Sequence, residues 1–278
     1  MHRSTLDNLI CPRCQSSLRL VSATAWLDQD RIRVGAAACA CSRYPIRDGI
    51  LDLAPSLDGI TLAQWSNVLP LTAWGYERFW RRRSLSLLAG EPFPVEREFE
   101  LVWDMLQPAR EGLYLDLGCS TALQGRGLAP RLSWASRVVA VDFSAAMLRE
   151  AARRVEGEGV TRVDLVRARG ENLPFADGQL AGIVCGGSLN EFSAAWPILV
   201  EAQRGIQPEG RAVFMSLLTS ASERGRRVQK FVNASSGIKF WTPDETVRLF
   251  ESAGWRVLDQ RRWGMVLFST LTSSVYKH

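Results

Sequence analysis

The chain has 278 residues, a net charge of +5 and 46% hydrophobic residues. That length suits one large domain, or a medium domain with a small companion, and the charge is too modest to establish nucleic-acid binding by itself. No run of about eighteen apolar residues marks a membrane-spanning helix. The N-terminus lacks the apolar core of a signal peptide, so the expected location is cytoplasmic.

Four of the six cysteines lie near the N-terminus, as the pairs Cys11/Cys14 and Cys39/Cys41. Two tight turns carrying four thiolates can close a tetrahedral zinc site. Disulfides are the weaker alternative, because a cytosolic chain keeps its thiols reduced. Between the pairs, residues 18–21 and 31–34 alternate like the strands of a small hairpin. A unit of this size buries too little core to stand without a staple, and metal would supply it. The expected boundary of this zinc-ribbon-like domain is 1–53. Cys119 and Cys185 sit apart in apolar surroundings and read as packed thiols.

Residues 54–95 form a helical linker or lid. It holds Trp65, Trp74 and Trp80, and residues 73–88 carry Phe79, Trp80, Leu87 and Leu88 at roughly helical spacing. Gly90 and Pro92 end that helix. Aromatic rings on a lid favour a large apolar or aromatic ligand. An interdomain packing helix is the equal alternative, and stacking on RNA bases the lesser one. The arginine run 81–83 and the pairs Arg226/Arg227 and Arg261/Arg262 could grip phosphates or simply be solvated.

From residue 96 onward, strands and helices alternate. A helix at 96–106 precedes a strand at 113–117, which runs through Asp116 into a turn of small residues, Gly118 to Ala122. A helix from about 124 follows, then a strand at 137–141 that meets Asp142. Ser144 can cap the next helix. Further strands are expected at 162–167, 181–185 and 212–217, with a helix at 194–205 between the last two. Thr242, Pro243 and Glu245 make a capping box, and strands at 255–260 and 264–271 complete the pattern. A small-residue turn after one strand and an acid ending the next suit a nucleoside-containing cofactor on a Rossmann-like sheet.

The turn Asp116–Ala122 resembles motif I of class I S-adenosylmethionine-dependent methyltransferases (type 11-like), usually an acid followed by GxGxG. Residues 141–148 resemble their second motif. Asn172, Leu173, Pro174 and Phe175 resemble an "ENLPF" element, and residues 204–211 resemble the "RVLKPGG" turn. The resemblance covers roughly 96–278. Tyr44 to Leu51 resembles the tail of zinc ribbons that precede some bacterial methyltransferases. The implied fold is α/β: a Rossmann-like, doubly wound, mostly parallel seven-stranded sheet with an antiparallel C-terminal hairpin, plus the small N-terminal zinc ribbon. The implied cofactors are S-adenosylmethionine and zinc, the latter on Cys11, Cys14, Cys39 and Cys41. The implied cofactor-binding residues are Asp116, Gly118, Ser120, Asp142, Phe143, Met147, Glu171 and Asn172. Four positions depart from the family pattern: Ser120 and Ala122 stand where it usually has glycines, the first a mild change, and Arg169 and Ala181 stand where acids are common. Arg169 is expected to point to solvent or to pair with a carboxylate.

Methyl transfer to an acidic acceptor needs a base. The two histidines are His2 and His278, at the ends of the chain, so Glu191, with Asn190 beside it, is the candidate catalytic pair. Three readings follow. The first is methyl transfer to a hydrophobic or aromatic small molecule. The second is an RNA methyltransferase, resembling the ribosomal RNA guanine enzymes that also carry a zinc ribbon, with nucleic acid ranking below a small molecule as partner. The third is a non-catalytic binding or assembly subunit that kept the fold, motivated by Ala122, Arg169 and Ala181. The oligomeric state is not legible in the sequence.

Overall fold

The computed structural model describes residues 1–54 and 81–274. Most of the expected lid, including Trp65, Trp74, Tyr76, Phe79 and Trp80, lies outside the described residues. The part that is described is a helix, α2 (Arg82–Ala89), ended by Gly90 in the left-handed region, as its position after the apolar run predicts.

Seven strands form the central sheet: β5 (Leu113–Leu117), β6 (Arg137–Asp142), β7 (Val163–Arg167), β8 (Leu180–Cys185), β9 (Ile206–Leu217), β10 (Trp255–Trp263) and β11 (Val266–Ser273). Their spatial order is β7-β6-β5-β8-β9-β11-β10. The first five run parallel; β11 is antiparallel to β9, and β10 to β11. The inner strands are continuous apolar runs because helices cover both faces. Alternate residues of β6 face opposite layers: Val139 and Val141 join one hydrophobic cluster, Val138 and Ala140 the other. The chain steps outward from β5 to β6 and β7, then returns to pair β8 with β5. That reversal opens a crevice at the carboxyl ends of β5 and β6.

The fifth parallel strand starts earlier than the expected 212. It follows helix Ala195–Gly205 directly, and residues 207–210 bulge out between the pairs Leu180–Ile206 and Gly182–Arg211. Helix Glu223–Ser236 is not anticipated at all, although Ser222 caps its start and Gly237 (φ 82°) ends it. No residue of it is buried, so it lacks the strong apolar stripe that reveals a helix in sequence.

The N-terminal segment forms an antiparallel ribbon of β1 (Arg19–Trp26), β2 (Ile32–Ala38), β3 (Arg43–Arg47) and β4 (Ile50–Asp52). The ribbon's last strand pairs in parallel with β7, so eleven strands make one sheet. Leu6, Leu9, Leu18, Ile32 and Ile46 belong to the same cluster as Val139, Phe175 and Trp255. A buried carboxylate ties the seam. Asp164 of β7 accepts from the His2 amide at 2.7 Å and from Thr5 Oγ1 at 2.6 Å, and lies 3.0 Å from His2 Nδ1. Burial pushes Asp164 up, but the hydrogen bonds and charge facing it from His2 outweigh that and hold it below the usual carboxylate range.

Candidate cofactor site

Strand β5 delivers Asp116 and Gly118 to the crevice. Asp116 is 1% exposed, and its Oδ2 accepts the Gly125 amide at 2.8 Å. It therefore pins the start of helix Leu123–Leu128 and does not line the crevice. Burial, partly offset by the Gly125 amide, pushes its pKa up to about 7. The turn that follows keeps the shape three glycines would give. Gly118, Ser120 and Ala122 all hold left-handed backbone, with φ of 63°, 51° and 58°. A side chain there costs roughly 1–2 kcal/mol per residue. Ala122 is fully buried, and burying its methyl returns roughly 0.8 kcal/mol. The altered motif thus preserves the turn at a small net cost.

At the end of β6, Asp142 joins two loops. Its Oδ2 accepts the Ser120 amide and its Oδ1 the Ser144 amide, each at 2.8 Å. Burial raises its pKa against those two amides. A carboxylate oxygen has two lone pairs, so both oxygens can still accept from a ligand. Ser144 also caps the next helix by accepting the Met147 amide at 3.2 Å. Met147 is buried beneath the turn, with Ser120 Oγ 3.3 Å from its sulfur.

The crevice gathers Gly118, Asp142, Phe143 and Glu171 of the expected residues, together with Arg169. Ser120 borders it through its bond to Asp142. Asp116 and Met147 lie behind it, and Asn172 is exposed beside it. Phe192 and Ile198 complete the apolar walls. Phe192 belongs to the stretch after β8 that the sequence pattern puts at the ligand-binding carboxyl edge of the sheet, whereas Ile198, inside a helix, gives no signal. Arg169 pairs with Glu171 at 3.4 Å, so its charge is countered within the wall. The other side is closed by a 3-10 turn, Ser188–Glu191, whose Ser188 hydroxyl donates to the Gly118 carbonyl at 2.7 Å. A Cβ on Gly118 would stand 2.6 Å from Ser188 Cβ, which explains glycine there. The volume left between these walls is about 30 Å³.

The expected catalytic pair divides. Asn190 is fully buried and structural: its amide donates to the carbonyls of Leu217 and Lys239 at 2.9 and 2.6 Å and accepts the Leu217 amide at 2.8 Å. With those bonds made, it does not orient an acceptor. Glu191 is half-buried beside it. A polar cluster that the sequence did not reveal lies near the end of β8: Glu98 Oε1 accepts from Arg81 at 2.5 Å and from Gln124 at 2.6 Å. Arg81 also reaches the Gly186 carbonyl at 3.4 Å. Cys119 and Cys185 are buried thiols pushed up by desolvation, Cys185 to about 12.

Across the ribbon, the sulfurs of Cys11, Cys14, Cys39 and Cys41 lie within 4.8 Å of one another. Three of the separations are 3.6–3.7 Å. A tetrahedron with zinc–sulfur bonds of about 2.3 Å has edges of about 3.8 Å, so this donor set fits zinc. Tyr44 Oη lies 3.1 Å from the Cys11 sulfur, a second layer behind the thiols.

Residues 115–210 match the family model described as a methyltransferase domain. The match spans the turn, Asp142 and the crevice just described. Those residues carry a methyltransferase domain. The chain is 28% identical over 201 residues to an uncharacterized chloroplastic methyltransferase of Arabidopsis thaliana, covering 67% of this chain and 54% of that protein. It is 28% identical over 167 residues to a demethylmenaquinone methyltransferase of Lactiplantibacillus plantarum, covering 59% and 60%. The chain thus spans little more than half the length of these relatives. In structure, the methyltransferase domain resembles geranyl diphosphate C-methyltransferase from Streptomyces coelicolor A3(2), solved with Mg2+, geranyl diphosphate and S-adenosyl-L-homocysteine. The TM-score is 0.55 at 15% identity, over 65% of this chain and 79% of that one. No described helix is long and apolar enough to cross a membrane.

Proposed function

We propose that this chain transfers a methyl group from S-adenosylmethionine to a hydrophobic or aromatic small molecule. The observation that carries the reading is Asp142, a buried carboxylate at the tip of the second strand that organises the glycine-like turn of the first. The donor set suits the cofactor: Asp142 would accept the ribose hydroxyls, Phe143 and Ile198 would flank the base, and Glu171 would offer an acceptor at its edge. When bound, the cofactor supplies an activated methyl on a sulfonium. The protein's share is orientation and exclusion of water. Glu191, on the Ser188–Glu191 turn, is the carboxylate we assign to take an acceptor proton. The small-molecule acceptor is supported by relatives named for quinone substrates, among them the Lactiplantibacillus protein.

Titration calorimetry with S-adenosylmethionine and S-adenosylhomocysteine tests this. The parent protein gives heat with both. Asp142→Asn loses charge-assisted hydrogen bonds worth about 1.5–3 kcal/mol, an affinity loss of roughly ten- to a hundredfold. Absence of heat with either ligand in the folded parent would sink the proposal.

We also infer that the four ribbon cysteines hold one structural zinc. The near-tetrahedral sulfur spacing supports it, as does the chemistry of four free thiols in one knuckle. The site lies in the ribbon, away from the crevice, so its role is to staple the ribbon.

A further inference from the structure

We propose that the pocket under helix Glu223–Ser236 is the acceptor site and that it selects an anionic amphiphile, an apolar or aromatic body bearing a phosphate, sulfonate or carboxylate. The proposal rests on the methyl-transfer reading for the word acceptor alone; binding itself is independent of it. The pocket is a solvent-open concavity of about 390 Å³ with Arg226, Lys230, Lys239, Phe240 and Trp241 in its wall. Among the described residues, no carboxylate lines it. Three cations facing one concavity repel each other, and concave low-dielectric walls focus their field on whatever enters. The two aromatic rings give an apolar body a flat surface to lie on.

Its place in the fold ties it to the cofactor crevice. Leu218 bridges to Trp241, and the Thr219 amide donates to the Trp241 carbonyl at 2.9 Å, so the floor continues β9 past its carboxyl end. Lys239 Nζ donates to the Ser193 carbonyl at 2.9 Å, and the Lys239 amide to that of Asn190 at 2.9 Å. Residues 190–193 also contain Phe192, which lines the cofactor crevice. The two cavities therefore share one wall along the carboxyl edge of the sheet, the edge where open α/β sheets bind ligands. Asn190, expected to act on the acceptor, instead fixes that wall. Lys239 spends one of its three N–H groups on Ser193 and keeps two for a ligand. The helix above is strongly basic: residues 219–241 hold five cations and one acid.

The test compares two fluorescent probes of one shape on the full chain without cofactor: 8-anilino-1-naphthalenesulfonate and its neutral analogue N-phenyl-1-naphthylamine. The parent binds the sulfonate at least tenfold more tightly. Lys230→Glu and Lys239→Met each weaken the sulfonate about tenfold and leave the neutral probe within twofold, while Trp241→Ala weakens both. 1-Naphthyl phosphate displaces the sulfonate. Equal affinity for the two probes, or sulfonate binding unmoved by both lysine variants, overturns the proposal. Displacement by a short single-stranded RNA but not by naphthyl phosphate overturns it in favour of nucleic acid. Calorimetry with S-adenosylmethionine separates the two readings. A parent that binds the sulfonate selectively but not the cofactor has this pocket without the proposed chemistry. A parent that binds the cofactor but does not discriminate the probes has the converse.

Discussion

Two carboxylates at the carboxyl edge of the sheet look alike in sequence and differ in the structure. Asp142 meets two loop amides and lines the crevice, whereas Asp116 is sealed behind it with one amide partner. The consequence for Asp116 is a pH-dependent cost. Its folded pKa, up to about 7, exceeds the unfolded value of about 3.9. Between those values the folded state binds more protons, so stability falls as pH rises through the window. The full cost above pH 7 is on the order of 4 kcal/mol at 1.36 kcal/mol per unit. Asp116→Asn cannot ionise. Its melting temperature, compared with the parent's, should shift in its favour between pH 5 and pH 8. A constant difference across that range would show that Asp116 titrates normally.

Among the elements, the ribbon depends most on something other than its own packing. Its last strand has three residues, and two of its cysteines are exposed. The Ser16 hydroxyl and amide hold the Cys14 thiol down to about 6, while Cys14 pushes Cys41 up to about 12. Four thiols this close compete for protons, and a dication resolves the competition. Elemental analysis should find about one zinc per chain, and Cys14→Ser should lower it. A folded ribbon with no metal would refute the site. The helix at Glu223–Ser236 is the opposite case: good caps, no buried side chain, and Val228 and Phe231 at 61% and 73% exposed. Such a helix is held by its caps and by the Gln229 side chain, which bonds to Leu218 and Ser220, rather than by apolar packing.

At the scale of the molecule, one sheet runs from the ribbon to the C-terminal hairpin, and Asp164 of β7 clamps His2 and Thr5 of the N-terminal segment to it. Because the folded pKa of Asp164 is depressed, its contribution is present above the unfolded value of about 3.9. It is lost as pH falls through the folded value. Asp164→Asn weakens buried hydrogen bonds to His2 and Thr5 and should destabilise the protein by about 2–4 kcal/mol at neutral pH. The variant should also lose part of the parent's steep acid-induced destabilisation below about pH 4. Urea unfolding at the two pH values reads both, and unchanged midpoints would mean the clamp carries no weight.

The sequence by itself determined the parallel strands, Asp142 at the tip of the second of them, the capped helices at Ser144 and Thr242, and the cysteine pairs. Each is a local pattern: an apolar run ended by an acid, a cap three residues before its amide, or cysteines separated by one or two residues. Tertiary structure decided what local pattern cannot encode. Asp116 and Asn190 became pins because their partners, Gly125 for one and Leu217 and Lys239 for the other, arrive from separate segments. Phe192 and Ile198 became crevice walls because the 3-10 turn and its following helix fold back over β5. The ribbon joined the main sheet because a three-residue strand found β7, a pairing more than a hundred residues away that leaves no periodic trace in the chain. The left-handed turn at Ser120 and Ala122 survived the loss of its glycines because Asp142, from the neighbouring strand, holds the Ser120 amide in place.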